Sequence, residues 1–152
     1  MDESGLQIRA ARQADLALIE QLLTACGLPL DGVRDSLECF VVAVVGRDVV
    51  GVAGLELCRD NALLRSVAVR ADWRARGVGR RLVARVIADA QARPIDALYL
   101  LTESAERYFP SFGFHAIGRD AVPPDVRETA EFRDLCQASA TIMTRPLRGT
   151  PP

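Results

Sequence analysis

The sequence predicts one α/β domain, a mixed sheet of six to seven strands flanked by about four helices. Three observations carry this reading. The chain has 152 residues, a length that suits one domain and can bury a substantial core without disulfides or metal. Its composition, 49% hydrophobic and 26% charged, is that of an ordinary globular protein. Apolar residues also recur with period two in some stretches and with helical period in others, in turn along the chain.

Leu6 to Ala10 alternates as a short strand. Leu16, Ile19 and Leu23 then fall on one helical face, and Gly27 followed by Pro29 ends that helix. Phe40 to Val45 and Val49 to Cys58 are apolar, β-branched runs around Gly46-Arg47-Asp48, an antiparallel hairpin. Ala62 to Arg70 is a further strand, in which Leu64 and Ser66 alternate against Leu63, Arg65, Val67 and Val69. Leu82, Val83, Val86, Ile87 and Ala90 mark one face of a strong helix. Pro94 interrupts, and Ala97 to Thr102 reads as a buried strand. Ser104 caps a short helix through about Phe112, closed by Gly113. Phe114 to Gly118 is a strand, Pro123 and Pro124 open a helix reaching Leu135, and Ala138 to Thr144 is the last strand. The tail from Pro146 to Pro152 reads as frayed. With no repeat or linker, residues 1–152 read as one domain with a core at about 6–146.

Net charge is −1, and all 19 basic residues are arginine. That balance gives no reason to expect nucleic acid or an anionic membrane as partner. Met1-Asp2-Glu3-Ser4 is unlike a signal peptide, and no apolar run approaches the roughly 18 residues of a membrane span, so a cytoplasmic protein is expected. Cys26, Cys39, Cys58 and Cys136 form no CxxC pair and read as reduced, mostly buried small hydrophobes.

The stretch from Leu63 to Leu82 carries the chemistry: strand, glycine-containing turn, helix. A helix N-terminus presents N–H groups and a positive dipole end, which favour phosphate. Gly77 and Gly79 let backbone approach an anion closely, and Arg74, Arg76, Arg80 and Arg81 add positive charge. Taken alone, such a turn is also an ordinary strand-to-helix connection. The dinucleotide fingerprint is not met, because position 82 is Leu82, and the P-loop is ruled out by the absence of lysine.

Val67-x-Val69 followed by Arg74-x-x-Gly77-x-Gly79 resembles the acetyl-CoA signature of the GNAT N-acetyltransferase superfamily, (Arg/Gln)-x-x-Gly-x-(Gly/Ala). Phe112-Gly113-Phe114, after the strand Ala97 to Thr102, resembles its apolar-Gly-Phe ending. The resemblance spans roughly residues 6–145. Gly54-Leu55-Glu56, Leu63-Leu64-Arg65-Ser66, Tyr99-Leu100-Leu101-Thr102 and the stretch Thr129 to Met143 resemble one subgroup encoded with arsenic-resistance operons, a genetic setting that does not fix a substrate.

The resemblance implies a GNAT fold with splayed central strands and acetyl-CoA as cosubstrate. Backbone groups of Val67, Ala68 and Val69 would meet the pantetheine amides, and the N–H groups of Arg74, Ala75, Arg76, Gly77, Val78, Gly79 and Arg80 the pyrophosphate. An ammonium acceptor with a pKa near ~10.4 must lose a proton before it attacks the thioester. Glu56 is the first candidate base and Glu103 the second, against the plain reading of solvated surface carboxylates. Tyr108 is the candidate proton donor, displaced one residue from the family's usual position, which Phe109 occupies here. Arg65, Ser66 and Cys136 are candidates on the acceptor side. Arg65 suits a carboxylate, arsonate or phosphinate, against the plain reading of a strand-edge arginine in solvent. The segment Thr129 to Ser139 is expected to line the acceptor pocket, and His115 reads as structural.

The implied activity is acetyl transfer to a primary amine of a small molecule. The alternative is an acetyl-CoA-binding sensor or accessory protein with reduced catalysis. A third reading has Cys58 and Cys136, with or without Cys26 or Cys39, bind trivalent arsenic as thiolates. A homodimer is expected from the resemblance alone.

Overall fold

The computed structural model describes residues 5–103, 105, 107–135 and 140–147. Seven strands are present: β1 Gln7–Ala10, β2 Phe40–Val45, β3 Asp48–Leu57, β4 Ala62–Val69, β5 Ala97–Thr102, β6 His115–Ile117 and β7 Thr141–Pro146. They hydrogen-bond into a mixed sheet in the order β1-β2-β3-β4-β5-β7-β6. The helices are α1 Leu16–Ala25, α2 Val78–Gln91 and two short segments, α3 Pro124–Arg127 and α4 Ala130–Leu135. The chain divides into two compact units, Met1–Leu55 with Ser66–Ala88 and Glu56–Arg65 with Asp89–Pro152.

In the first unit β1, β2 and β3 form an antiparallel meander, whose β2–β3 register shifts between Ala43 and Val44. The expected apolar face of α1 is buried: Leu16, Ile19, Leu22 and Leu23 share a core with Phe40, Val42, Val44, Val49, Val52 and Ala68. The helix ends where Gly27 turns left-handed at φ 72°, and Leu28 N–H donates to Leu23 O at 2.9 Å, a closure that glycine makes without strain. The carboxylate of Asp15 holds the entry to α1. It accepts from Arg9 Nη1 at 2.8 Å, from Arg9 Nη2 at 3.0 Å and from the Arg12 N–H at 2.7 Å.

Two glycines in β3 are there for space. Gly54 lies opposite Phe40, and a Cβ on it would sit 2.5 Å from the Phe40 ring. A Cβ on Gly51 would sit 2.8 Å from Leu82 Cδ1 and 3.1 Å from Val78 Cγ1. The first turn of α2 therefore packs directly on the β3 backbone. Leu82, Val83, Val86, Ile87 and Ala90 are buried, as the helical period requires, and so is Val78.

In the second unit β4 runs parallel to β5 through Ala62–Leu98 and Leu63–Tyr99, and no further among the described residues. All six residues of β5 pair with β7, and β6 adds antiparallel to β7. Leu63, Val122, Val126 and Ile142 form a core with Tyr99, Leu101, Ile117 and Phe132 packed against it.

Several boundaries differ from expectation. Among the described residues, the helix expected up to Phe112 is only a 3-10 turn, Phe109–Phe112. Pro110 lacks the N–H that an α-helix needs there. Its expected cap, Ser104, lies outside the described residues, as does Met1-Asp2-Glu3-Ser4. The helix expected to reach Leu135 breaks after Arg127, because the Thr129 hydroxyl donates to Val126 O at 2.8 Å and accepts from Phe132 N–H at 3.2 Å. That side chain caps a new helix instead of continuing the old one. Among the described residues there are two full helices and two short ones where about four helices were expected. The last strand begins at Thr141 and takes in Pro146, which pairs with Ala97. Cys26, Cys39 and Cys58 are free and half-buried rather than buried.

Gly54→Ala should lower stability by about 1–3 kcal/mol through overpacking, read as a fall in Tm. Adding Phe40→Leu should recover part of the loss, and strictly additive effects in that cycle would contradict the contact.

Candidate active site

Local backbone shapes the strand-turn-helix segment. Ser66 has φ 61° in the middle of β4, a left-handed conformation that L-residues rarely adopt in a strand. Strict alternation along β4 fails there. Every residue from Ala62 to Ser66 is buried, after which Val67 and Val69 are half-buried and Ala68 is buried. One turn later Ala75 at φ 64° and Gly77 at φ 83° are left-handed on either side of Arg76. Such reversals of handedness turn successive N–H groups inward to form an anion-sized concavity. A Cβ on Gly77 would meet nothing within 4 Å, so the glycine serves the dihedral angle. Arg81 N–H donates to Gly77 O at 3.1 Å as an early rung of α2, which leaves the N–H groups of Val78, Gly79 and Arg80 ahead of it at the positive end of the helix dipole.

The arginines of the turn have distinct tasks. Arg70 pairs with Asp72 through contacts of 2.7 and 3.0 Å, and its N–H donates to Val50 O at 2.8 Å. Arg74 folds back, donating from Nε to Val69 O at 3.0 Å and from Nη2 to Cys26 Sγ at 3.5 Å. Arg76 is exposed, its Cζ 4.7 Å from the centre of the Trp73 ring.

In the second unit Glu56 and Arg65 face each other across the β3–β4 turn, which Cys58 N–H closes on Asn61 O at 2.8 Å. Arg65 Nη1 donates to Glu56 Oε1 at 2.8 Å, with the arginine side chain 1% exposed and that of the glutamate 21%. The solvent-facing arginine considered from the sequence is thus buried. It is covered because its charge has a partner. Glu56 Oε2 has no hydrogen-bond partner among the described residues.

Sequence reasoning missed Asp125, whose carboxylate gathers the same turn. It accepts from Asp60 N–H at 2.9 Å, Asn61 N–H at 3.1 Å and Asn61 Nδ2 at 3.1 Å. Burial alone would raise its pKa, but the hydrogen bonds from Asp60, Asn61 and Val126 outweigh that and hold it below the usual carboxylate range. Burial first, then the charges of Asp125 and Glu56, push the Cys58 thiol up to about 12. Cys58 is therefore a neutral thiol at physiological pH. Among the described residues no cluster of His, Cys, Asp and Glu could hold a metal.

Tyr108 immediately precedes the 3-10 turn. Its ring packs at 5.1 Å from Phe109 and 5.4 Å from Phe112, and Phe109 is buried. Glu103, at the end of β5, and His115, on β6, are exposed. Cys136 and the end of the Thr129 to Ser139 segment lie outside the described residues.

Residues 36–116 match the family model for the acetyltransferase (GNAT) domain. The chain belongs to the GNAT family. Solved structures share the fold. N-acetylglutamate synthase from Neisseria gonorrhoeae, complexed with coenzyme A and N-acetyl-glutamate, superposes with a TM-score of 0.81 at 23% identity, covering 97% of this chain and 36% of its own. This chain thus spans about a third of that protein. Rv2747 from Mycobacterium tuberculosis, solved with CoA and a second ligand, gives 0.80 at 25% identity over 93% of this chain and 99% of its own. A GNAT-family acetyltransferase from Staphylococcus aureus Mu50 gives 0.77 at 18% identity, covering 94% and 99%. The chain thus carries an acetyltransferase domain of the GNAT type. None of its described helices is long and apolar enough to cross a membrane.

Cys58 should alkylate with iodoacetamide at pH 8 at least about 100-fold more slowly than a thiol of ordinary pKa near 8.5. Its rate, followed by peptide mass spectrometry, should still be rising at pH 10, and Asp125→Asn should speed it. A plateau below pH 9 would contradict the raised value.

Proposed function

We propose that this GNAT domain, residues 1–152, is an N-acetyltransferase that moves the acetyl group of acetyl-CoA to the primary amine of a small molecule. The observation that carries the proposal is the turn 74–80, where left-handed Ala75 and Gly77 lead into the N-terminus of α2. The N–H groups of Arg74, Ala75, Arg76, Gly77, Val78, Gly79 and Arg80 are assigned to the pyrophosphate. The backbone of Val67, Ala68 and Val69, re-aimed by Ser66, is assigned to the pantetheine amides.

Glu56 is assigned as the base. With Oε1 held by Arg65, Oε2 remains to take the proton of an ammonium acceptor, directly or through water. The neutral amine attacks the thioester carbonyl, the C–S bond breaks, and the coenzyme leaves as thiolate. Tyr108 is assigned to reprotonate the sulfur. With a thiol pKa near ~8.5, that step assists rather than limits the reaction. Arg65, Ser66 and Cys136 are assigned to the acceptor side, Arg65 by fixing Glu56. A small acceptor is supported by the N-acetyl-glutamate bound to the Neisseria protein. The local strings shared with the arsenic-resistance subgroup supply the proposed genetic setting. Cytoplasmic location and a homodimer belong to the same proposal. One observation favours an accessory protein without catalysis: buried Phe109 stands where the family usually places its proton donor.

Excess acetyl-CoA at 100 times its Kd should stabilise the protein by about 2.7 kcal/mol, a rise in Tm of roughly 5–10 °C. Gly77→Glu should abolish the rise. No rise at millimolar acetyl-CoA sinks the proposal. A rise without thiol release across a panel of primary amines, or release unchanged by Glu56→Gln, removes the catalytic assignment and leaves the accessory reading.

A further inference from the structure

Coenzyme A carries two anionic centres, the pyrophosphate and a 3′-phosphate monoester on the ribose. The reading above, on which this inference rests, gives the first to backbone N–H groups and leaves the second without a partner. The side chains of the turn differ in what they have left to offer. Arg70 is neutralised by Asp72, with Asp48 a further 3.9 Å contact. Arg74 is folded back, with Nε on Val69 O and Nη2 on Cys26 Sγ. Arg80 and Arg81, at the start of α2, are engaged as well.

Arg76 differs from all four. Its guanidinium is held against the Trp73 ring, 4.7 Å from the centroid. An aromatic face attracts the cation through its quadrupole but supplies no oxygen acceptor. Apart from the field of Asp72, no protein group takes its N–H donors among the described residues. It is exposed, and left-handed residues on both sides set its direction. A guanidinium fixed in place with its fork unoccupied suits a phosphate dianion, which it binds through two parallel N–H···O contacts.

We propose that the side chain of Arg76, steadied by Trp73, binds the 3′-phosphate of coenzyme A and makes this protein prefer the coenzyme over its 3′-dephospho form. The preference is set by a side chain, separately from the backbone groups that hold the pyrophosphate.

Isothermal titration of CoA and 3′-dephospho-CoA into wild type, Arg76→Ala and Trp73→Leu tests this. Wild type should bind CoA about tenfold more tightly than the dephospho form, the scale of one charge-assisted contact at an exposed site. Arg76→Ala should erase the ratio, weakening CoA about tenfold more than 3′-dephospho-CoA. Trp73→Leu should narrow the ratio, since the guanidinium is then free to wander. An unchanged ratio in Arg76→Ala overturns the proposal while the acetyl-CoA site stands. Equal weakening of both ligands also overturns it, because Arg76 would then serve the pyrophosphate. If wild type binds neither ligand, the cofactor reading and this inference fall together.

Discussion

The turn between β4 and α2 is anchored at both ends on two adjacent residues of β3. Arg70 N–H bonds to Val50 O, and the first turn of α2 rests on Gly51, where Val78 and Leu82 occupy the space a side chain would need. Any larger residue at 51 would lift the start of the helix, and with it the N–H groups that begin the ladder. Between these anchors Arg74 ties the turn back to Val69 O and Cys26, so a segment rich in exposed arginine has a defined path. The left-handed Ala75 costs roughly 1–2 kcal/mol, and a turn pinned at both ends can sustain that strain.

The second unit holds groups of a different kind. Its segment from Glu56 to Arg65 carries a nearly dry guanidinium paired with the Glu56 carboxylate, and a suppressed thiol near Asp125, whose carboxylate takes the hydrogen bonds of the turn. Burying Arg65 is tolerable because Glu56 lies beside it, an uncompensated buried charge being strongly destabilising. The pair thus fixes where the carboxylate sits. The first unit, by contrast, presents backbone at its turn, where left-handed Ala75 and Gly77 set the path.

Much of this was legible in the sequence. Strand β2 falls where an apolar, β-branched run placed it, β5 spans Ala97 to Thr102 as read, and the buried faces of α1 and α2 follow the helical period residue by residue. The acetyl-CoA motif was readable because glycine is constrained there by backbone geometry, which leaves a pattern. The left-handed Ser66 and Ala75 left none, since neither residue type advertises positive φ. The break at Thr129 came from a side-chain cap that reads equally well as helix interior, and Pro110 was a warning against the helix drawn through it. Burial of Arg65 was hidden by the habit of placing arginine outside. The available clue was one acidic and one basic residue in otherwise apolar strands joined by a short turn, Leu55-Glu56-Leu57 and Leu63-Leu64-Arg65. Asp125 reaches 64 residues back to Asn61, a contact no local pattern encodes.

The raised pKa of Cys58 bears on how the protein coexists with its own cosubstrate. Thioesters exchange with thiolates, and the rate follows the fraction of sulfur that is ionised. A cysteine ionised at neutral pH is therefore a sink for acetyl groups. Burial and two carboxylates push Cys58 the other way, toward the slower, protonated form, and the chain has no lysine side chain to be acetylated.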